Sequence, residues 1–427
     1  MARKKRVLFV FPTAWDHAQL RGCQARWEAQ FEVVYAEPSD WDCPWDLDIV
    51  DWIARTSATY DGTIDGVTSS SDYPGATVAG AIATNLGLPG PLPQSVLRCS
   101  HKYHSRLSQR ESVPEATPAF GVIDPDDVTQ PPSTGLPCFV KPVKGAFSIM
   151  SGMLREADEY RAFFSRPVLH EFRHQFLFIF NQLVAHFTDF PTDGRSFLAE
   201  APLSGNQVTV EGYARGDDIV VLGITDSVLH PETKSFERFV FPSDSRSAAQ
   251  VRMRDIAIRC IRGLDLRNSF FNIELIHDPQ RDTIHIIEVN PRMCGQFGDL
   301  YEKVLGVNSY ELLLALATGA PMPVVEAARD DVVAASVPLR VYVPVRVAAA
   351  PDAAALRAAE SLFPGTRVWN ECHADQRLDN FENIEDGKSF RYAVVNLGAP
   401  DRETLSRRLV AIEAKLGYRF EALVPGP

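Results

Sequence analysis

The sequence predicts a multidomain protein of mixed α/β and α+β class. Its 427 residues allow roughly two to four domains at about 150 residues each. Over the first hundred residues, strand-like and helix-like segments alternate, which indicates a parallel sheet covered by helices on both faces. Later strand-like segments follow one another across short polar turns, which indicates antiparallel pairing.

Composition and charge exclude several classes of protein. Apolar residues make up 45% and charged residues 23% of the chain, which disfavours disordered and fibrous folds. The 43 Lys and Arg against 55 Asp and Glu give a net charge of −12, which disfavours nucleic acid as a partner. The best candidate for a membrane span, Phe176–Phe187, is shorter than the ~18–20 residues required. Seven scattered cysteines without a CxxC pair fit a reducing compartment, so we expect a cytoplasmic protein.

The first region, residues 1–94, is predicted to be an N-terminal parallel α/β domain. Val7–Pro12 and Phe31–Ala36 are apolar runs of strand length. Ala76–Leu86 repeats small and apolar residues at helical spacing. The turn-rich segment Gly87–Pro91 then marks the end of the domain.

The second region, residues 95–320, is predicted to contain both helices and antiparallel strands. Ser95–Pro118 has a helical pattern, and Cys138–Pro142 is a short apolar strand. Ala157–Phe187 is predicted to form two helices that are separated near Pro167. Further strands are expected at Phe197–Glu200, Gln207–Tyr213, Ile219–Asp226, Phe270–His277 and Thr283–Val289, the last two as an antiparallel pair.

The third region, residues 321–427, is predicted to be a C-terminal α+β domain that helps to close the functional site. Its clearest elements are a strand at Phe390–Leu397 and a helix at Arg402–Leu416. The Ala-rich stretch Val347–Ala359 precedes them.

The predicted strand pair carries a cluster of oxygen ligands. Side chains alternate faces along a strand, so Glu288 and Asn290 project to one side, and Glu274 on the neighbouring strand can join them. Two carboxylates and an amide oxygen suit Mg²⁺ that is shared with substrate phosphates. Arg292 continues the alternation and supplies a cation beside the metal. An ordinary surface hairpin is the alternative, but the strongly apolar strands favour a metal site.

Lysines near predicted strands provide a second indication of an anion site. Lys141 is flanked by apolar residues, and a buried ammonium needs an anionic partner. The loop Lys144–Ser148 that follows has a glycine and a hydroxyl suited to covering phosphate. Lys102, on a predicted helix, is a weaker candidate because most helical lysines are solvated.

Taken together, these residues resemble the ATP-grasp superfamily, most closely its carboxylate–amine ligases of the L-amino-acid ligase type. The resemblance covers Ser95–Gly319, with a preceding α/β domain and a trailing domain that are also typical. It implies an ATP-grasp fold in which Lys102 and Lys141 bind phosphate. It also implies that Gly145 and Ser148 belong to a flexible loop over the nucleotide phosphates.

The resemblance also implies roles for residues between and after these lysines. Glu200 and Leu203 fall in the hinge strand that contacts adenine through backbone groups. Gln207 replaces the glutamate that binds ribose in the family, which is a departure, and Lys234 is a further phosphate-contact candidate. The metal ligands match Glu274, Glu288 and Asn290, and the catalytic arginine matches Arg292.

The reaction implied by the resemblance consumes ATP with one or two Mg²⁺ ions. A small-molecule carboxylate, such as an amino acid, would be phosphorylated to an acyl phosphate, and an amine would then displace the phosphate to form an amide or dipeptide. Glu211, Glu237 and Arg238 are candidates for recognising the amine or a second carboxylate, with exposed, solvated charges as the alternative. A homodimer is common in the similar ligases.

Two other functions stay open at this point. One is an ATP-grasp carboxylase or purine-biosynthesis enzyme, which is disfavoured because Met293–Gly298 lacks the histidine expected of a biotin carboxylase. The other is a non-catalytic nucleotide-binding regulator, for which Arg292 would have no use.

The segment His170–His174 also has the H-E-x-x-H spacing of zinc metalloproteases. A zinc site needs a third ligand, and none stands in the expected local context. We therefore interpret the segment as a polar helix face.

Overall fold

The computed structural model describes residues 3–39, 47–145, 149–233, 235–324, 330–379 and 389–423. Two of the predicted site residues, Ser148 and Lys234, lie outside these ranges. Within the ranges, every helix is too short or too polar to cross a bilayer.

The first region contains the predicted parallel sheet. Strand β1 (Lys5–Val10) lies between β2 (Phe31–Ala36) and β3 (Gly66–Thr68), and both pairs are parallel. Its side chains are buried on both faces, as expected for a strand covered by helices on both sides. The helices of this region are α1 (Ala14–Gly22), α2 (Gln24–Trp27), α3 (Ile49–Tyr60) and α4 (Gly75–Asn85).

A small antiparallel sheet forms the first half of the second region. Its strands, in spatial order, are β4 (Phe120–Ile123), β7 (Phe197–Glu200), β5 (Cys138–Pro142) and β6 (Gly152–Leu154). The helices before and within it are α5 (Pro93–Ser100), α6 (Lys102–Ser112), α7 (Ala157–Phe164), α8 (Val168–Glu171) and α9 (Phe178–Phe187). The predicted interruption near Pro167 is present, and a π-helical turn at Phe172–Phe176 separates α8 from α9.

A large antiparallel sheet connects the second and third regions. In spatial order its strands are β12 (Thr283–Asn290), β11 (Ser269–Asp278), β8 (Asn206–Arg215), β9 (Asp218–Leu229), β10 (Phe236–Phe241), β13 (Val333–Val341), β17 (Phe390–Ala399) and β15 (Arg367–Asn370). Helices α10 (Ser247–Gly263), α11 (Gly298–Leu305) and α12 (Ser309–Ala317) accompany it. The sheet is therefore continuous across residue 321, where the sequence predicts a domain boundary.

The rest of the third region completes an α+β arrangement. Strands β16 (Arg377–Leu378), β14 (Val345–Ala349) and β18 (Arg419–Ala422) form a separate small sheet. Helices α13 (Ala353–Glu360) and α14 (Arg402–Leu416) contact each other, and α14 also packs against β17. The predicted helix at 402–416 thus has the same bounds in the structure.

A buried arginine joins α6 to both sheets. Arg106 is 1% exposed, and its Nε lies 2.5 Å from Oε1 of Glu200 at the end of β7. Its Nη2 donates to the carbonyl oxygens of Ile286 and Ile287 in β12, at 2.6 and 2.8 Å. Arg106 therefore fixes the separation between the two sheets that flank the site.

We expect Arg106→Met to lower the free energy of unfolding by about 3–5 kcal/mol, because it leaves the buried Glu200 carboxylate without one of its cations. Urea unfolding followed by circular dichroism measures this change. The exposed Arg110→Met on the same helix is the control, with an expected loss below about 1 kcal/mol. Equal losses in the two variants would contradict the role given to Arg106.

Candidate nucleotide and metal site

Three oxygen-bearing side chains converge on one face of the β11–β12 pair. Glu274 lies directly opposite Glu288, and Asn272 lies opposite Asn290 two residues further along. Opposed residues share a face of the sheet, so Glu274, Glu288 and Asn290 project to the same side. The structure thus brings together the three residues predicted to bind metal.

The two carboxylates have unequal proton affinities. Burial and the negative charge of Glu288 raise the pKa of Glu274 to about 8. Burial also acts to raise the pKa of Glu288, but Lys102 and Lys141 outweigh it and the pKa of Glu288 is lowered. A carboxylate pair of this kind gains a bound cation or a proton to reduce the repulsion between its members.

The chemistry of these donors fits a divalent cation such as Mg²⁺. Two carboxylates and one amide oxygen are hard ligands of the kind Mg²⁺ uses when water and phosphate complete its coordination. The Nδ2 atom of buried Asn290 has no hydrogen-bond partner among the described residues, so its N–H groups are available to an acceptor such as a phosphate oxygen. Among the described residues there is no group of three or more His, Cys, Asp or Glu side chains that could hold a metal ion.

Lys102 links the carboxylates to the loop after β5. Its Nζ lies 3.1 Å from Oε2 of Glu288 and donates to the carbonyl oxygen of Gly145 at 2.9 Å. Its backbone N–H donates to the carbonyl of Val143 at 2.8 Å. The first residue of α6 is therefore attached both to Glu288 on β12 and to the segment after β5.

Lys141 occupies a buried position at the same end of β12. Its Nζ lies 2.7 Å from Oε2 of Glu200 and donates to the carbonyl of Ile287 at 3.0 Å. Burial lowers the pKa of Lys141, and the carboxylate of Glu200 partly counteracts this effect. Ile287 precedes Glu288, so the two predicted phosphate-binding lysines and a predicted metal ligand lie together.

Arg292 follows β12 and is half-buried. Burial acts to lower its pKa, but the nearby charges of Asp72, Cys294, Glu274 and Glu288 raise it overall. Within the described ranges, no hydrogen bond or ion pair engages its guanidinium. An unpaired guanidinium beside a carboxylate pair is available to bind a planar anionic group.

The predicted hinge residues have mixed surroundings. The side chain of Glu200 forms ion pairs with Arg106 and Lys141. The half-buried Leu203 lies in the connection from β7 to β8. Gln207, predicted to contact ribose, donates from Nε2 to Oε2 of Glu274 at 2.9 Å. In this structure Gln207 therefore supports a metal-ligand candidate, and its ribose contact stays a prediction.

The three substrate-recognition candidates do not lie together. Glu237 and Arg238 are on β10, three strands from β11, or roughly 14 Å at ~4.8 Å per strand. Arg238 is exposed and Glu237 is half-buried. Glu211, on β8 next to β11, is fully buried, so its interpretation as an exposed, solvated charge is wrong. The sequence pattern around Glu211 did not reveal that polar groups on the adjacent strand and turn would enclose it.

Glu211 supports the turn that carries Arg292. Its Oε2 accepts hydrogen bonds from Nδ2 of Asn272 at 2.8 Å and from the backbone N–H of Cys294 at 2.7 Å. Its Oε1 has no partner among the described residues. Burial raises the pKa of Glu211 to about 7, although both hydrogen bonds oppose the rise. Cys294 is two residues beyond Arg292, so Glu211 fixes the backbone on that side.

The Glu211 carboxyl is expected to make folding stability depend on pH. Its native pKa of about 7 exceeds the ordinary 4.5, so the native state retains a proton that the unfolded state releases. This contribution is full below about pH 4.5 and is lost as the pH rises through about 7. Relative to Glu211→Gln, the wild type should lose on the order of 3 kcal/mol between about pH 4.5 and 8. Urea unfolding of both proteins at several pH values measures the difference; a constant difference would contradict the prediction.

The histidine pair does not form a zinc centre in this structure. The rings of His170 and His174 lie 4.3 Å apart between centroids, and both side chains are exposed with Glu171. They belong to α8 and the π-helical turn, away from any third ligand in the described ranges. The exposed positions agree with a polar helix face.

Two charged residues near the site escaped the sequence analysis. Asp72, in the segment between β3 and α4, pairs with Lys144 at 2.6 Å, and Arg106 pairs with Glu200 as described above. Arg106 follows Lys102 by one helical turn, a spacing that places the two residues on one face of α6. Asp72 has no comparable pattern, since its partner is 72 residues away.

Comparisons with known proteins identify the fold that carries these residues. Residues 134–299 match the family model described as an ATP-grasp domain. A relative from Sinorhizobium fredii, named "Uncharacterized protein y4rH", is 29% identical over 254 residues. That match covers 57% of this chain and 46% of the relative, so it spans less than half of the relative's length.

Solved structures share the whole architecture. An L-amino acid ligase from Bacillus licheniformis superposes with a TM-score of 0.76 at 14% identity, covering 99% of this chain and 100% of that chain. A phosphoribosylglycinamide synthetase from Anaerococcus prevotii gives a TM-score of 0.65 at 13% identity, with coverage of 99% and 100%. At these identities the likeness establishes the fold. The chain therefore contains an ATP-grasp domain and adopts the ATP-grasp fold.

Proposed function

We propose that this protein is an ATP- and Mg²⁺-dependent ligase that joins a small-molecule carboxylate, such as an amino acid, to an amine. The products would be an amide or dipeptide, ADP and phosphate. The observation that carries the proposal is the convergence of Glu274 and Glu288 with two lysines and the unpaired Arg292. Fold similarity to an L-amino acid ligase supports the same reaction class.

The cationic side chains suit the phosphoryl-transfer step. Lys102 and Lys141 would neutralise the triphosphate while the substrate carboxylate attacks the γ-phosphorus in line. Charge then accumulates on the equatorial phosphoryl oxygens, where Arg292 can stabilise it without reorganising. This step breaks the bond between the γ-phosphorus and the β–γ bridging oxygen, forms the acyl phosphate and releases ADP.

Glu274, Glu288 and Asn290 are the residues that would hold Mg²⁺. When bound there, the ion supplies charge neutralisation for the nucleotide phosphates. Gln207 keeps the carboxylate of Glu274 oriented through its amide N–H, as an outer partner does for a metal ligand.

The second step places further requirements on the protein. The amine attacks the acyl carbon, phosphate leaves and the nitrogen loses a proton, while Arg292 can stabilise the oxyanion that forms. Acyl phosphates are hydrolysed by water, so the site must close during the reaction. Gly145, whose carbonyl is already bound by Lys102, begins the segment that we propose as the lid, together with Ser148. Lys234 would add a phosphate contact, and Glu237 and Arg238 would bind the second substrate.

The cysteines favour a reducing compartment for this reaction. The six cysteines in the described ranges are all free, and most of them are buried. We therefore propose a cytoplasmic enzyme.

Phosphate release from ATP in the presence of amino-acid pairs tests the proposed function. The expected result is release that requires both Mg²⁺ and a particular pair, with the condensed product detected by mass spectrometry. ATP binding without phosphate release under any amino-acid pool would favour a nucleotide-binding regulator. Release that depends on bicarbonate or formate would favour the carboxylase or purine-biosynthesis class.

A further inference from the structure

A lysine beside the predicted phosphate loop is held by the first region of the chain. Lys144, between β5 and Gly145, is 2% exposed, and its Nζ lies 2.6 Å from Oδ2 of Asp72. Asp72 belongs to the segment between β3 and α4. An ion pair between a buried lysine and a half-buried aspartate therefore connects the parallel α/β region to the loop predicted to cover phosphate.

Two aromatic rings complete the surroundings of this ammonium. The rings of Tyr73 and Phe180 lie 5.5 and 5.6 Å from Nζ of Lys144. The hydroxyl of Tyr73 donates to the carbonyl of Phe176 at 2.8 Å and accepts from the backbone N–H of Phe180 at 3.0 Å. The enclosure is thus assembled from the segment after β3 and from the start of α9, and hydrogen bonds hold these two parts together.

Asp72 also faces the cations of the candidate site. Burial acts to raise its pKa, but Lys144, Arg292 and Lys102 outweigh this effect and lower the pKa of Asp72 to about 2. Asp72 is therefore ionised at neutral pH. The negative charge of Asp72 also acts on Glu288, which places this carboxylate close to the metal-ligand candidates.

The backbone on either side of Lys144 is hydrogen-bonded to Lys102, one of the predicted phosphate-binding residues. The N–H of Val143 donates to the carbonyl of Ser196 at 3.1 Å, and the carbonyl of Val143 accepts from the N–H of Lys102. The carbonyl of Gly145 accepts from Nζ of Lys102 at 2.9 Å. Lys144 lies between Val143 and Gly145 in sequence. Its ion pair with Asp72 therefore adds a third interaction that holds the backbone of residues 143–145 in place.

We propose that Asp72 and Lys144 are positioning residues that set the place of the Val143–Gly145 backbone relative to Glu288 and Arg292. Through this pair, the first region of the chain controls the affinity of the site for ATP. Removing one partner leaves the other charge buried and uncompensated, so the remaining side chain must move or admit water, and Gly145 moves with it. The inference rests on the proposed nucleotide site.

The experiment compares ATP binding in five variants with the wild type, the fifth being Lys144→Arg. Asp72→Asn and Lys144→Met each remove one charge at similar volume, and the double variant removes both. Lys303→Met is the control, because it breaks a buried pair with Asp299 within α11, away from the Val143–Gly145 backbone. Titration calorimetry with Mg²⁺ and ATP gives the dissociation constants, and thermal unfolding gives the stability of each protein.

Each single variant is expected to bind ATP about tenfold more weakly than the wild type, and Lys303→Met within about twofold. The double variant should lose less than the product of the two single losses, because no lone charge stays buried. Lys144→Arg keeps the charge and should bind more tightly than Lys144→Met.

Two outcomes would overturn different statements. If the wild type binds ATP and Asp72→Asn binds it as tightly as Lys303→Met does, the pair has only a structural role and the inference fails. If the wild type does not bind ATP, the nucleotide site itself is wrong. If Lys144→Met does not fold, Asp72→Asn and the double variant still decide the question. Asp72→Asn breaks the ion pair but keeps Lys144, and the double variant removes both charges together.

Discussion

Glu288→Gln is expected to reduce turnover by more than about 100-fold while the fold stays intact. The substitution removes one carboxylate of the facing pair at nearly constant volume. It also replaces the anion that lies 3.1 Å from Nζ of Lys102 by a neutral amide, so the lysine loses its charge partner. Substrate-dependent phosphate release measures the loss, and circular dichroism checks the fold.

The exposed Glu32→Gln on β2 provides the matched control for this change. The control should retain full turnover and the same Mg²⁺ requirement as the wild type. Near-normal turnover in Glu288→Gln would remove the basis for assigning these carboxylates to a metal. Loss of the folded circular dichroism spectrum would call for the same assay on Glu274→Gln, its partner in the pair.

Arg292→Lys is expected to lower kcat by about 10²–10³-fold with a much smaller effect on ATP affinity. The ammonium keeps the positive charge but lacks the planar fork that binds two oxygens at once. Because Arg292 has no partner within the described residues, the substitution breaks no hydrogen bond in this structure. The expected loss therefore reports on the reaction rather than on folding.

Steady-state kinetics with varied ATP separate these effects on Arg292→Lys. The half-buried Arg346→Lys on β14 is the control, since the ion pairs of Arg346 among the described residues are with Asp375 and Glu421, both in the third region. A rise in the KM for ATP with unchanged kcat would place Arg292 in nucleotide binding alone. That result would contradict its proposed role at the transferred phosphoryl group.

The local pattern of the sequence predicted the strand pair at the centre of the site. The alternation in Glu288, Asn290 and Arg292 and the short polar turn before them determine which side chains share a face. The same reasoning placed β1 in a buried parallel sheet, because an uninterrupted apolar strand requires cover on both sides. These features depend on residues that are close in sequence.

One long helix shows a pattern that was present but not recognised. Helix α10 buries Ala249, Met253, Ile256 and Cys260 at three-to-four-residue spacing, which is the signature of an amphipathic helix. Strands β10 and β13 were also missed, and their pairing joins residues about a hundred positions apart. The hydrophobic periodicity of a segment does not indicate which distant segment it pairs with. The continuity of the large sheet therefore could not be inferred from the sequence.

Side-chain partners across strands were the hardest part of the site to foresee. Gln207 lies opposite Ile276, two pairs along from the Thr209–Glu274 pair and on the same face of the sheet, and this register brings its amide to Glu274. The register of β8 against β11 is set by the whole sheet rather than by the residues around Gln207. The ion pair between Asp72 and Lys144 depends in the same way on how the first region packs on α9.

A crystal structure with Mn²⁺ and a non-hydrolysable ATP analogue tests the central claim most directly. Anomalous scattering locates the manganese independently of the refined coordinates. We expect a peak bonded to carboxylate oxygens of Glu274 and Glu288 and to the amide oxygen of Asn290, with the analogue's phosphates between it, Lys102 and Lys141. A peak bonded to other residues, or an analogue bound away from these lysines, would contradict the account.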